Sequence, residues 1–210
     1  MALAGKFENM YATRRSLLSR IKNPEDHDSW KDFFDTYSRL VYSVALKAGL
    51  TNTEAEEAVQ ETFIALARKM PEFKYDPEIG SFKSWLIKTT QFKVGDQFRK
   101  RKHQRQPDSS RGGTTNRTAT MDRIPDPASL NLNEVCEGEW RELVFTQAVE
   151  KVKEKVPPGQ FQIFDLYVLK KWPVRKVATT LGISSGRIYL TKHRLAQLVK
   201  REVKLLEGTL

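Results

Sequence analysis

The sequence predicts an all-α protein: two helical domains joined by a flexible linker, the C-terminal one containing a helix-turn-helix. Three observations carry this. Apolar residues recur at helical spacing through most of both halves of the chain. No pair of alternating apolar segments around a hairpin turn is evident, and no internal repeat. The stretch WPVRKVATTLGISSGRIYLTKHRLAQLVKREVK, from Trp172 to Lys204, reads as two short helices around a tight turn, the second running on into a long basic helix.

Residues 10–104 form the first expected domain. Trp30, Phe33, Phe34, Tyr37, Leu40, Val41, Val44 and Ala45 mark the core side of a helix that Asp28 is expected to cap and Gly49 to end. Thr53 and Glu56 have the spacing of a capping box. The helix they open carries Ala58, Val59, Thr62, Phe63, Leu66 and Ala67 on one side, and Pro71 closes it. After the loop PEFKYDPEIG, Ser81 is placed to cap the next helix. Phe82, Trp85, Leu86 and Thr89 lie on one face of that helix and Ile87, Val94 and Phe98 on another. Burial on two sides is therefore expected, with Lys83, Lys88, Gln91 and Arg99 left for solvent or a ligand.

Residues 105–133 are rich in Ser, Thr, Gly, Pro and Arg and poor in large apolar groups. Such a composition cannot form a core and reads as a flexible linker. Residues 134–207 form the second domain. Glu134 to Val156 presents Trp140, Leu143, Val144, Ala148 and Val152 as a stripe, and Pro157 and Pro158 break it. Gln160 to Lys170 is short and apolar, and Pro173 suits the first turn of the helix that follows, where no amide donor is needed.

In the helix-turn-helix, Ala178 is small enough for a second helix to cross closely, Gly182 suits a left-handed turn, and Ile188 points back into the angle between the helices. Ser184 caps the second helix. With Ile188, Leu195 and Val199 inward, the opposite side shows Gly186, Arg187, Tyr189, Leu190, His193, Arg194 and Gln197. That face offers guanidinium groups for guanine edges and apolar groups for a thymine methyl.

Charge points the same way. The net charge is +10, and its distribution is more telling than its total. Lys170 to Lys204 holds ten Lys or Arg against one acid, Glu202, and Lys83 to Arg105 holds eight against one, Asp96. Glu54, Glu56, Glu57 and Glu61 cluster instead on the helix between, where they suit a basic protein surface rather than DNA. Cys136 is the only cysteine, so an internal disulfide is excluded and a reducing cytoplasm is expected. No apolar run has the length of a signal peptide or membrane span.

Three motifs in this order, EAVQETFIALARKMPEF, GSFKSWLIKTTQFKVGDQFRKRK and VATTLGISSGRIYLTKHRL, resemble the bacterial sigma factors. The extracytoplasmic-function (group IV) members of the sigma-70 family, which keep only the second and fourth conserved regions, are the most similar group. The resemblance spans roughly residues 12–104 and 134–205. It implies a transcription initiation factor, catalysing no reaction itself and needing no cofactor or metal. It assigns binding of the β′ clamp helices of core RNA polymerase to Glu57, Gln60 and Glu61. It assigns opening of the −10 promoter element to Phe73, Tyr75, Lys83, Trp85, Lys88, Gln91 and Arg99, where rings suit unpaired bases and cations suit the backbone. Reading of the −35 element falls to Ser184, Ser185, Arg187, Tyr189, Lys192, His193 and Arg194. The β flap of the polymerase and an anti-sigma protein are the further partners it implies. The sequence departs from the family at one place: Phe92 stands where the family often has Asn in WL-x5-N-x3-D, while Asp96 and Arg99 match.

Two other readings compete. A one-component helix-turn-helix regulator with a sensory N-terminal domain would share the C-terminal motif, but not the helix carrying Gln60 and Glu61. A nucleic-acid-processing enzyme would need a metal or nucleophile site. His27, His103 and His193 are widely separated, no Cys/His set has ligand spacing, and no glycine-rich phosphate loop follows a strand.

Overall fold

A computed structural model describes residues 14–73, 81–104 and 131–207, and these residues are helical with no strand among them. The expected linker lies almost entirely outside the described residues, as does Tyr75. The helices are α1 (Arg14–Arg20), α2 (His27–Lys47), α3 (Asn52–Lys69), α4 (Phe82–Gln104), α5 (Leu132–Lys155), α6 (Pro158–Phe164), α7 (Val174–Leu181) and α8 (Ser185–Glu207). They divide into two units, one from Arg15 to Trp140 and one built on the residues from Arg141 onward, so the division falls inside α5.

In the first unit, α2 packs on α3 and α3 on α4. Asp26, rather than Asp28, caps α2: its carboxylate accepts from the Ser29 amide at 3.0 Å and the Ser29 hydroxyl at 2.8 Å. Ser29 is buried, which favours the earlier of the two aspartates. The capping box of α3 is likewise two residues earlier than the Thr53–Glu56 spacing suggests. Thr51 is extended and accepts from the Glu54 amide, while the Glu54 carboxylate accepts from the Thr51 amide at 2.8 Å. Gly49, at φ 95°, makes the turn between α2 and α3 in the left-handed region that glycine favours.

The helices meet through aromatic and small residues. Phe33, Tyr37, Phe63 and Phe82 form a ring-on-edge cluster with centroids 5.0 to 5.8 Å apart. Ala45, Ala48, Ala55 and Ala58 allow close approach of α2 and α3, and Val94 and Phe98 of α4 fill the space beside them. Leu132–Trp140 adds Cys136 and Trp140 to this core. Burial pushes the Cys136 thiol up to about 11, so it is an inert packing group. Phe34 departs from the expected core stripe of α2: it is 43% exposed, its ring tilted against that of Phe63 with centres 4.7 Å apart.

In the second unit, Val144, Ala148, Val149 and Val152 of α5 are buried, as are Ile163, Phe164 and Leu166. The expected single helix after Pro157 is two pieces: α6 and a π-helical turn, Asp165–Leu169. Lys171 then takes a left-handed φ of 55°, a strained conformation for a side chain with a Cβ, and turns the chain into α7. Lys155 and Glu202, 2.5 Å apart, tie α5 to α8.

A charge ladder runs between α3 and α4. Arg101 grips Glu54 through Nε at 2.7 Å and through Nη2, and this holds the Glu54 carboxyl down at about 2. A folded-state value below the ordinary one means the contribution is complete above about pH 5 and is lost as pH falls toward 2. Glu54→Gln keeps the capping box but removes the charge. It lowers stability by about 2 kcal/mol at pH 7. Urea unfolding of the two proteins across pH checks this: the gap between them is full at pH 7 and closes as pH drops below 5.

Candidate functional site

Three surfaces gather the residues that the sequence singled out. The first lies where α2 and α3 meet. Phe34, Ser38, Arg39 and Tyr42 from α2, and Glu56, Val59 and Gln60 from α3, line an open groove of about 480 Å³. Helical spacing explains its walls: Phe34, Ser38 and Tyr42 are one turn apart on α2, as are Glu56 and Gln60 on α3. Gln60 is exposed over this groove. Sequence reasoning missed the α2 side, although Ser38 between two aromatics at four-residue spacing was a signal that this row is not core.

Glu57 and Glu61 do not face solvent alone. Lys100 of α4 sits 2.5 Å from Glu61 and 3.8 Å from Glu57, and Lys93 sits 3.6 Å from Glu61. The pairing with Glu61 raises Lys100 above the ordinary lysine value. The acidic helix is thus partly neutralised by the basic helix beside it, a long-range pairing that neither segment reveals by itself.

The second surface is the face of α4 turned away from its core. Ser81 caps this helix as expected, accepting from the Ser84 amide at 3.3 Å. The structure separates the candidate residues here. Trp85, Lys88 and Arg99 fall on one exposed or half-exposed stripe, and Phe73 stacks on Trp85 at 4.7 Å with ring planes 21° apart. Lys83 and Gln91 turn elsewhere: Lys83 pairs with Glu137 at 2.7 Å and lies 5.7 Å from the Trp140 ring centre, and Gln91 donates to Asn133 at 2.7 Å. Arg99 pairs with Asp96, and Lys93 lies 3.3 Å from the same carboxylate. Burial pushes the Asp96 carboxyl up, but these two cations outweigh it and hold it below its ordinary value.

The third surface is the helix-turn-helix. Ile163, Leu166, Val177 and Ile188 form its core, with Ala178 and Ile183 packed against them. Gly182 takes φ 63° and lets the Ile183 amide reach the Ala178 carbonyl at 3.1 Å. Ser184 accepts from the Arg187 amide at 3.3 Å, so its side chain caps α8. Ile188, Leu195 and Val199 are buried. Ser185, Arg187, Tyr189, Leu190, Lys192, His193 and Arg194 are all exposed, Leu190 to 75%. The Tyr189 ring meets Tyr167 edge-on at 5.9 Å, and Lys192 stands 5.5 Å over Tyr167. Lys176 covers the Trp172 ring at 3.9 Å, adding a cation on the edge of the same unit.

Among the described residues no group of His, Cys, Asp and Glu is placed to hold a metal ion, and no helix is long and apolar enough to cross a membrane. Residues 33–104, from inside α2 to the last residue of α4, match the family model described as Sigma-70 region 2. These residues therefore form a sigma-70 region 2 domain. No curated protein matches the chain. It is similar to the chain in a solved structure of CnrH in complex with the cytosolic domain of CnrY, at 17% identity over 91% of this chain and 97% of that one, with a TM-score of 0.35. A 1.8 Å structure of an RsbN–BldN complex matches at 18% identity over 88% and 97%, with a TM-score of 0.34. At these scores neither likeness carries an argument, and what is shown is the sigma-70 region 2 domain.

In that domain Gln60 and Glu61, neighbours in sequence, do different work. Glu61→Lys sets a third ammonium beside Lys93 and Lys100 and lowers the stability of the region 2 domain by about 1–2 kcal/mol. Gln60→Arg, on the open groove, leaves it within about 0.5 kcal/mol of the native protein. Urea midpoints of the two variants are the check.

Proposed function

We propose that the chain is an RNA polymerase sigma factor of the extracytoplasmic-function (group IV) kind. It binds core polymerase, recognises the −10 and −35 promoter elements, and promotes DNA melting at the start of transcription. The observation that carries this reading is the joint presence, in one chain, of a sigma-70 region 2 domain and a helix-turn-helix whose exposed helix face is cationic.

The groove under Gln60, lined by Glu56 and Phe34, with Glu57 beside it on α3, supports docking of the β′ clamp helices. Its exposed Phe34 ring supplies apolar contact, and the Glu56 carboxylate favours a basic partner. The face of α4 takes the opened −10 strand: Phe73 and Trp85 offer ring surface, and Lys88 and Arg99 offer charge for the backbone. Lys83 and Gln91 join this set less directly, because both are engaged by Leu132–Trp140. Tyr75 completes the family's set in sequence.

The recognition helix α8 reads the −35 element in the major groove through Arg187, Tyr189, His193 and Arg194, with Ser184, Ser185 and Lys192 for phosphates. Strand opening then draws on the free energy of holding unpaired bases, with no reaction at the protein. The β flap and an anti-sigma protein are the remaining partners of this reading.

Two variants separate the roles. Gln60→Arg reduces co-purification with core polymerase about ten-fold while keeping the fold. Arg187→Ala keeps polymerase binding but flattens the preference among −35 sequences, costing roughly 1–3 kcal/mol if the guanidinium makes a bidentate contact. Polymerase capture by both folded variants, followed by transcription from a panel of −35 sequences, is the experiment. Native capture by Gln60→Arg or an intact preference in Arg187→Ala counts against the corresponding placement.

A further inference from the structure

We propose that Phe92 is a stacking platform for an unpaired nucleobase of single-stranded DNA. The proposal rests on the promoter-opening reading above and adds to it a contact that stacks on a base rather than reading its hydrogen-bonding edge.

Phe92 is 61% exposed on a helix whose core lies on the opposite side, under Leu86, Thr90, Val94 and Gln97. A ring left in water at that position gains nothing from the fold. Helical spacing sets it on one stripe with Trp85, Lys88 and Arg99, seven, four and seven residues away. Two cations flank the ring: the Arg99 guanidinium carbon is 5.4 Å from its centre and the Lys93 ammonium 5.7 Å. Both also neutralise Asp96, the one carboxylate beside the ring on this helix. Gly95 lies one turn further on, where a Cβ would meet only the Arg99 Nη1 at 3.8 Å. The surface next to the ring is therefore low and open, as a planar ligand needs.

The composition of the stripe favours a nucleobase over a protein. A protein interface centres on a contiguous apolar patch. Here a single exposed ring sits among Lys88, Lys93, Gly95 and Arg99. A base presents a π-face to the ring, and its own backbone phosphates meet the cations. The spacing fits as well. Trp85 and Phe92 are about 10 Å apart along the helix axis, the rise of about three stacked nucleotides. The Phe73–Trp85 pair and Phe92 would thus hold different bases of one strand.

The test uses holoenzyme reconstituted from the full chain and core polymerase, with fork-junction DNA whose single-stranded overhang is selected from a random pool for binding. Each overhang position is then replaced by an abasic nucleotide. With the native chain, one position loses about ten-fold or more in affinity when abasic, yet tolerates all four bases. Phe92→Ala and Phe92→Leu lose a similar factor on the intact probe and no longer respond to that abasic site. Phe92→Trp retains both affinity and response. Native behaviour of the Ala and Leu variants at every position overturns the proposal. So does a loss of core polymerase binding in these variants, which would mark Phe92 as a protein contact. If the native chain forms no holoenzyme that binds forked DNA, the sigma-factor reading itself fails, and the role of Phe92 with it.

Discussion

The packing of the acidic helix α3 against the basic helix α4 sets the functional surfaces of the region 2 domain. Small residues, Ala55 and Ala58, let the helices approach, and the ladder from Glu54–Arg101 through Glu57 and Glu61 to Lys100 and Lys93 fixes their register. Lys93, Lys100 and Arg101 on this flank of α4 are committed to carboxylates of α3, whereas Lys88 and Arg99 lie on the far stripe, with Arg99 paired to Asp96 of its own helix. Likewise, Glu61 is held to one side and Gln60 is left over the groove with Phe34. At one end of the ladder the Arg101 guanidinium meets Glu54 through two nitrogens and holds its carboxyl far below the ordinary value. A region that reads in sequence as an acidic segment and a basic segment works in the fold as one interlocked pair with two different outer faces.

The second unit solves a different problem, that of presenting one face of a helix to a ligand. Ile188 fills the angle between α7 and α8, and Gly182 supplies the left-handed turn without steric cost. Everything on the other side of α8, from Ser185 to Arg194, is then exposed apart from residues such as Thr191 at its flank. A π-helical turn and the strained Lys171 precede α7, a local irregularity at the entry to the recognition element.

Much of this was legible in the sequence. The all-α class, the inward positions of Ile188, Leu195 and Val199, the cap at Ser184 and the turn at Gly182 follow from spacing and local chemistry, and the structure shows each. What sequence left hidden depended on distant partners. Two Thr-x-x-Glu spacings overlap at the start of α3, and the one used is the one whose Glu54 also meets Arg101, which lies 47 residues away. Asp26 was preferred to Asp28 because its partner Ser29 is buried. Phe34 looked like core by periodicity but lies at a groove edge. Lys83 and Gln91 looked free, yet meet Glu137 and Asn133 of α5.

The central claim is that the chain directs core polymerase to promoters and opens them. Run-off transcription with purified core polymerase and a genomic promoter pool tests it most directly, with permanganate mapping of unpaired thymines in the same reactions. The account predicts discrete transcripts that appear only when the chain is added, each starting beside a chain-dependent patch of reactive thymines. Transcription that is indifferent to the chain, or DNA binding by the chain with no effect on polymerase, would contradict it.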